Sequence, residues 1–181
     1  MEMSIKITRK KGDVDIKDVK NFAKALAKRN VTSGIHKQEG QQVNSVSGTK
    51  VIDYACYNEF GGNLGNNPPA RPFVRVNFTE GSKLKSEIKR ETKDIMKTFI
   101  HEKYKGNKVT MVNYLLGSIG TLYVNEMIDR INNSPTYFAD IGLEHNQPST
   151  IKQKGFDHPL VDTMLLAKSL RYKVNVINGN K

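Results

Sequence analysis

The chain has 181 residues and carries 29 Lys and Arg against 18 Asp and Glu, a formal charge of +11. That length suits one ordinary domain and buries roughly 70 % of the extended surface on folding, so neither a disulfide nor a metal is required for stability. An apolar content of 37 % with 14 Gly and 6 Pro excludes wholesale disorder and fibrous repeats, and a single cysteine, Cys56, excludes an internal disulfide or a Cys-rich metal site.

No apolar run approaches the ~18 residues of a membrane span. The opening Met1-Glu2-Met3-Ser4-Ile5 lacks the apolar core of a signal peptide, and a lone thiol suits a reducing compartment. Residues 3–8 alternate Met3, Ile5 and Ile7 with polar neighbours and predict a short strand. Asp15 reads as the N-cap of a helix reaching about Arg29, with Ile16, Val19, Phe22, Ala23 and Leu26 on its buried face and Lys17, Lys20, Lys24 and Lys28 on the other. Val31, Ser33 and Ile35 predict a second strand.

From His36 to Lys50 the Gln, Ser, Gly and Asn content specifies no element and predicts a loop or hairpin tip. Order returns over Val51–Phe60, where Cys56 is expected to be packed rather than reactive. Gly61-Gly62 and the run to Pro68-Pro69 form a second loop, and Phe73–Phe78 reads as a short extended segment or turn. A helix over about 81–102 buries Leu84, Ile88, Ile95 and Phe99 and sets Lys85, Lys89, Lys93 and Lys97 four apart in one row. Like charges at that spacing repel, so the row either meets an acidic partner or simply faces solvent.

After Gly106-Asn107 a long helix, about 109–132, carries a wide apolar face interrupted by Gly117 and Gly120, which permit close packing or are merely tolerated. Its net negative stretch complements the basic helix before it. Residues 133–162 predict a third irregular region, followed by a helical turn near Leu165–Ser169 and a terminal strand in which Leu170, Tyr172, Val174 and Val176 alternate with polar residues. The order predicts an α+β fold: a single domain, 1–181, with a small mixed or antiparallel sheet packed against two or three helices and long loops at about 36–50, 61–70 and 133–162.

The charge excess is uneven, with 9 basic and 4 acidic residues in 1–30, the same 9 against 5 in 80–108, and only one basic against four acidic in 109–150. A surface this basic is steered toward nucleic acid or an acidic protein, with salt-sensitive affinity, and lysines also serve plain solubility. Chemistry is thin. The four histidines show no zinc spacing, and no Gly-rich phosphate loop is present. His145-Asn146 superficially suggests an endonuclease loop and Asp157-His158 a metal or acid–base pair, as in a metal-dependent nuclease, but neither has a partner placed by pattern. The expectation is a non-enzyme without cofactor or metal.

Two stretches carry a family pattern. One is Tyr54-Ala55-Cys56-Tyr57-Asn58-Glu59-Phe60-Gly61 followed by Pro68-Pro69-Ala70-Arg71-Pro72-Phe73-Val74-Arg75. The other is Lys154-Gly155, then His158-Pro159-Leu160-Val161-Asp162-Thr163, ending in Ser169-Leu170-Arg171-Tyr172-Lys173-Val174. Together they resemble the tail-completion or neck proteins of tailed bacteriophages, the HK97-type head–tail joining components. The match spans about residues 16–176 and departs at Met164, where the family commonly has glycine. A left-handed backbone there would require methionine to alter the turn.

The resemblance implies a virion structural protein that joins or terminates the tail at the head–tail interface, as a ring, six-fold by analogy, with a DNA-passing lumen. Its partners would be further copies of itself with tail-tube or head-connector proteins, with non-specific DNA contact in the lumen and no membrane. Its place would be the virion tail or neck, and the host cytoplasm during assembly. The candidate contact residues are Glu59, Phe60, Arg71, Phe73, Arg75, Lys85, Lys89, Lys93, Lys97 and Asp162. Arg71 and Arg75 would pair with acidic groups and Phe73 would anchor. The plainer alternative puts Arg71 on the surface and Phe73 in the core, and leaves Tyr54, Glu59 and Phe60 to maintain the fold. The other functional expectation is a basic, non-enzymatic nucleic-acid-binding accessory protein.

Overall fold

The computed structural model describes residues 16–62, 69–75, 83–101 and 107–177. The expected strand at 3–8, the Asp15 cap and parts of the segments 61–70 and 73–78 lie outside them. In chain order the elements are α1 (Ile16–Ala27), β1 (Arg29–Ile35), α2 (Lys37–Gly40), α3 (Val51–Phe60), α4 (Lys83–His101), α5 (Lys108–Asn132), α6 (Ser134–Phe138), a 3-10 turn (Ala139–Ile141), α7 (Pro148–Lys154), α8 (Leu165–Lys168) and β2 (Leu170–Val176). This is an α+β fold in which the described sheet is antiparallel and two-stranded.

The 25-residue α5 is the axis, about 37 Å long at the helical rise of 1.5 Å per residue. Asn107 starts it by accepting the Val109 N–H on its side-chain oxygen at 2.9 Å, which satisfies one of the orphan donors of the first turn. Its apolar stripe serves two cores. Toward its N-terminus Met111, Val112, Leu115 and Leu116 pack with Phe22 of α1 and Ile95 and Phe99 of α4. The Phe22 and Phe99 rings meet at 4.9 Å between centroids. Toward its C-terminus Met127 and Ile131 pack with Val51 and Ala55 of α3, Phe73, Leu166, Ala167 and Leu170.

The sheet bridges the two cores. Register pairs Val31 with Val174, Ser33 with Tyr172 and Ile35 with Leu170. Period-2 alternation turns these residues toward α5 and leaves Thr32, Arg171 and Lys173 outside. Val31 and Val174 join the first core, and Ile35 and Leu170 the second. Between them the strands cross α5 at its two glycines. A Cβ built on Gly120 would lie 2.7 Å from Tyr172 Cβ and 2.8 Å from Val31 Cγ2, and one on Gly117 would lie 3.4 Å from the Tyr172 hydroxyl. Close packing is therefore the role of Gly120.

Several expectations are corrected. Residues 133–162 are not irregular: they hold α6, the 3-10 turn and α7. Pro135 and Pro148 occupy first-turn positions, where a missing N–H costs nothing, and Gly155 stops α7 in the left-handed region at φ 79°. Helices this short show no periodicity from which to recognise them. The segment 36–50 is a hairpin tip closed by a Val43–Lys50 bridge, preceded by the one-turn α2. On α1, Phe22 is buried, but Ile16 and Val19 are 58 % and 46 % exposed and Ala23 is exposed too. The buried arc runs instead through Phe22, Ala25 and Leu26. Cys56 is exposed rather than packed, because the buried face of α3 is the i, i+4, i+8 row Val51, Ala55 and Glu59. Met164 does not displace its turn. It adopts the left-handed conformation itself, at φ 60°, while its side chain packs on the second core.

The glycine crossing has a direct test. Gly120→Ala is expected to destabilise the protein by about 1–3 kcal/mol through overpacking against Tyr172 and Val31, despite alanine's better helix propensity. Gly117→Ala, whose methyl meets only ordinary contacts, is expected to be neutral or stabilising by up to about 1 kcal/mol. Thermal or urea unfolding of the two variants gives the comparison.

Candidate functional site

Glu59 lies on the last turn of α3 and is 5 % exposed. A buried carboxylate is costly unless it is hydrogen-bonded. Here Oε2 accepts the Phe73 and Val74 N–H groups at 2.8 and 2.9 Å, and Oε1 accepts the Arg75 N–H at 2.9 Å. Three consecutive amides around one carboxylate fold the 71–75 segment into a tight turn, and Arg75 Nε lies 3.8 Å from Oε1. The clamp inserts Phe73, 1 % exposed, into the second core.

Arg71 is 7 % exposed. Its backbone N–H donates to the Asn58 carbonyl at 2.6 Å. Its guanidinium donates from Nε to the Leu143 carbonyl at 3.2 Å and from Nη2 to the His145 carbonyl at 2.7 Å. Arg71 therefore holds the segment after the 3-10 turn against α3, and burial lowers its pKa while the charge of Asp157 opposes that. Of the ten candidate contact residues, Glu59, Arg71 and Phe73 have their functional groups engaged inside the chain, and neither the surface Arg71 nor the interface Phe73 of the two sequence expectations is what the fold displays.

Phe60 and Arg75 are on the outside. The Phe60 ring is 68 % exposed, and the Arg75 guanidinium carbon sits 5.6 Å from its centroid. Lys85, Lys89, Lys93 and Lys97 are all exposed along α4, with Lys97 3.7 Å from Asp94. Asp162 is half-buried and accepts from the Asn44 side-chain amide at 3.0 Å. Asn44 itself, 4 % exposed, accepts the Val46 and Ser47 N–H groups on its side-chain oxygen, so it shapes the hairpin tip while tying it to Asp162.

These elements enclose a polar cleft of about 750 Å³, walled by the hairpin tip, α3, the 69–71 segment, α7 and residues 160–162. Tyr54, Arg71, Lys154 and Asp162 face it. Burial, and then the nearby Asp162 charge, push the Tyr54 phenol up to about 12, so it stays protonated and can donate. Burial lowers the Lys154 pKa, opposed by Asp162 and Asp157. Its ammonium donates to the His158 carbonyl at 2.7 Å and lies 4.8 Å from the Phe156 ring centroid.

At the rim, His145 and Asp157 form a pair that the sequence pattern did not link. His145 Nδ1 lies 2.6 Å from Asp157 Oδ2, and Asp157 Oδ1 accepts the Asn146 N–H at 2.8 Å. The Asn146 N–H, together with His145, holds the Asp157 carboxyl below its usual range. Among the described residues no group of three His, Cys, Asp or Glu side chains is arranged to hold a metal ion.

The two stretches that carry the phage resemblance, 54–75 and 154–174, thus meet across one cleft. Comparison with family models, with curated proteins and with solved structures gave no significant match.

Replacing Glu59 by Gln keeps the shape of the clamp but removes its charge and turns an NH2 toward backbone donors. Glu59→Gln is expected to destabilise by about 2–3 kcal/mol, the scale of charge-assisted hydrogen bonds lost in a buried site. Amide exchange of Phe73, Val74 and Arg75 should accelerate ahead of global unfolding, and unchanged protection at these three amides would contradict the clamp.

Proposed function

We propose that this chain is a structural component of a tailed-phage virion, joining or terminating the tail at the head–tail interface as a ring around a DNA-passing lumen. The observation that carries the reading is the meeting of the two family-like stretches. Ala55 and Phe73 of the first stretch pack in one core with Leu166, Ala167 and Leu170 of the second, and Tyr54, Asn58 and Arg71 share a cleft with Lys154 and 160–162. On this reading the motif builds a rigid loop platform, and the exposed Phe60 and Arg75 at its edge contact the neighbouring subunit. An aromatic and an arginine side by side are the residue types that dominate interface energetics. The function requires no chemical step, and ring stoichiometry follows only by analogy with the resembled family.

Antibody labelling of intact particles of the encoding phage is expected to place the chain at the head–tail junction. A protein abundant in infected lysate but missing from disrupted purified particles would refute the reading. The double variant Phe60→Ala/Arg75→Ala, at exposed positions, is expected to keep the melting temperature and lose incorporation into particles.

A second reading, as a nucleic-acid-binding accessory protein, is favoured by the exposed lysine row of α4. Four phosphate contacts would make log K fall against log salt with a slope of about −3.6. Neutralising Lys85, Lys89, Lys93 and Lys97 should abolish that slope in a duplex-binding titration, and a slope unchanged by the four substitutions would remove the row from any DNA contact.

A further inference from the structure

Two cations, Arg71 and Lys154, line the cleft. Among the described residues neither Arg71 nor Lys154 has a carboxylate within ion-pair distance. Both are anchored instead by backbone carbonyls, those of residues 143 and 145 for Arg71 and of 158 for Lys154. The anchors account for two of five guanidinium protons and one of three ammonium protons. Two acids stand nearby, and Asp162 itself lines the cleft. Both oxygens of Asp157 are occupied by the Asn146 N–H and His145, and Asp162 accepts from Asn44.

The remaining wall adds donors. Tyr54 on α3 presents a protonated phenol, and Ser149 and Thr150 on α7 line the cleft too. The lining thus sets two cations and several hydroxyls against the one carboxylate of Asp162 around a space of about 750 Å³, which is far larger than an inorganic anion needs and suits a whole side chain with its flanking backbone. Partly buried cations attract an incoming charge more strongly than exposed ones, because solvent screens them less.

We propose that this cleft is a binding site for a carboxylate presented on a polypeptide, an acidic side chain or a chain terminus, held by Lys154 and Arg71 with Tyr54 as a further donor. The inference does not depend on the virion reading, since the cations and the cleft belong to the isolated chain. Tight recognition by charged, hydrogen-bonded groups in a half-buried site is also where a carboxylate is told apart from its neutral amide.

The test is a two-dimensional amide NMR titration of the full-length chain with N-acetylglutamate and N-acetylglutamine, each blocked at its α-carboxyl as the N-methylamide so that the pair differs only in side-chain charge, and with N-acetylglycinate, standing for a chain terminus, and inorganic phosphate in parallel. Expected is a saturable shift of cleft amides, including Thr150, Lys154 and Asp162, with N-acetylglutamate at a Kd of about 1 mM, the order set by so small a ligand. N-Acetylglutamine should bind at least about tenfold more weakly, corresponding to the loss of one charged contact. Lys154→Met should reduce N-acetylglutamate binding by about tenfold or more with the rest of the spectrum unchanged. Should that variant disturb the 158 turn, Ser149→Glu, at an exposed position, supplies an internal carboxylate and should block the added ligand. Binding of the blocked glutamine as tight as that of the carboxylate ligands, the absence of any saturable shift, or tighter binding of phosphate than of either carboxylate ligand would each overturn the proposal.

Discussion

The close crossing of the two-stranded sheet over Gly120 is the constraint from which the rest of the structure follows. With no Cβ at that point, Tyr172 and Val31 come down onto the backbone of α5, and the Ser33 hydroxyl reaches the Gly120 carbonyl at 3.4 Å. A seven-residue strand spans about 23 Å, so from this central crossing the sheet reaches both ends of the apolar stripe of α5. Val31 and Val174 seal one core, and Ile35 and Leu170 the other. Two glycines in a helix cost about 1 kcal/mol each in propensity, and burial of the side chains laid over them offsets that.

The same register decides where the cleft forms. Ile35 is opposite Leu170, so the chain leaving β1 and the chain entering β2 start from the same end of the sheet. The hairpin tip and α3 follow Ile35, and residues 154–169 precede Leu170. The two excursions have to meet there, as the hydrogen bond from Asn44 to Asp162, 118 positions apart, records. Polar residues then settle the details. Glu59 folds the 71–75 turn, Arg71 fastens the 143–145 segment, and the buried Ser134 hydroxyl donates to the Pro159 carbonyl. Each of these side chains satisfies backbone groups rather than another side chain, which is how loops with little regular structure acquire a defined shape. Lys154 and Arg71 are held by the same kind of contact, and their charge stays directed at the cleft.

Legibility in the sequence tracked the length of the element and the uniqueness of its period. The long helices 83–101 and 108–132 and the strand 170–176 each repeat an apolar pattern several times, and their bounds lie within two residues of the expected ones. The helices at 134–138 and 148–154 are one or two turns long, and their starting prolines read equally well as loop breakers. For α3 the pattern was ambiguous because one of its three buried positions is a glutamate, whose burial makes sense only beside the three amides of a distant loop. The pairing of His145 with Asp157 was invisible for a similar reason: each has an ordinary polar neighbourhood in the chain, and only the turn after α7 brings them together.

From the sequence alone come the α+β class, the terminal strand and the basic lysine row, because these depend on local periodicity or on charge count. Tertiary structure alone decided that Arg71 and Phe73 turn inward while Phe60 and Arg75 remain outside, and that Gly120 rather than Gly117 takes the close contact. It also placed a left-handed backbone on Met164, whose side chain packs on the second core. These outcomes share one cause. Which side chain a polar group meets is set by the register of residues more than a hundred positions apart, and that register is fixed by how the sheet seats on α5.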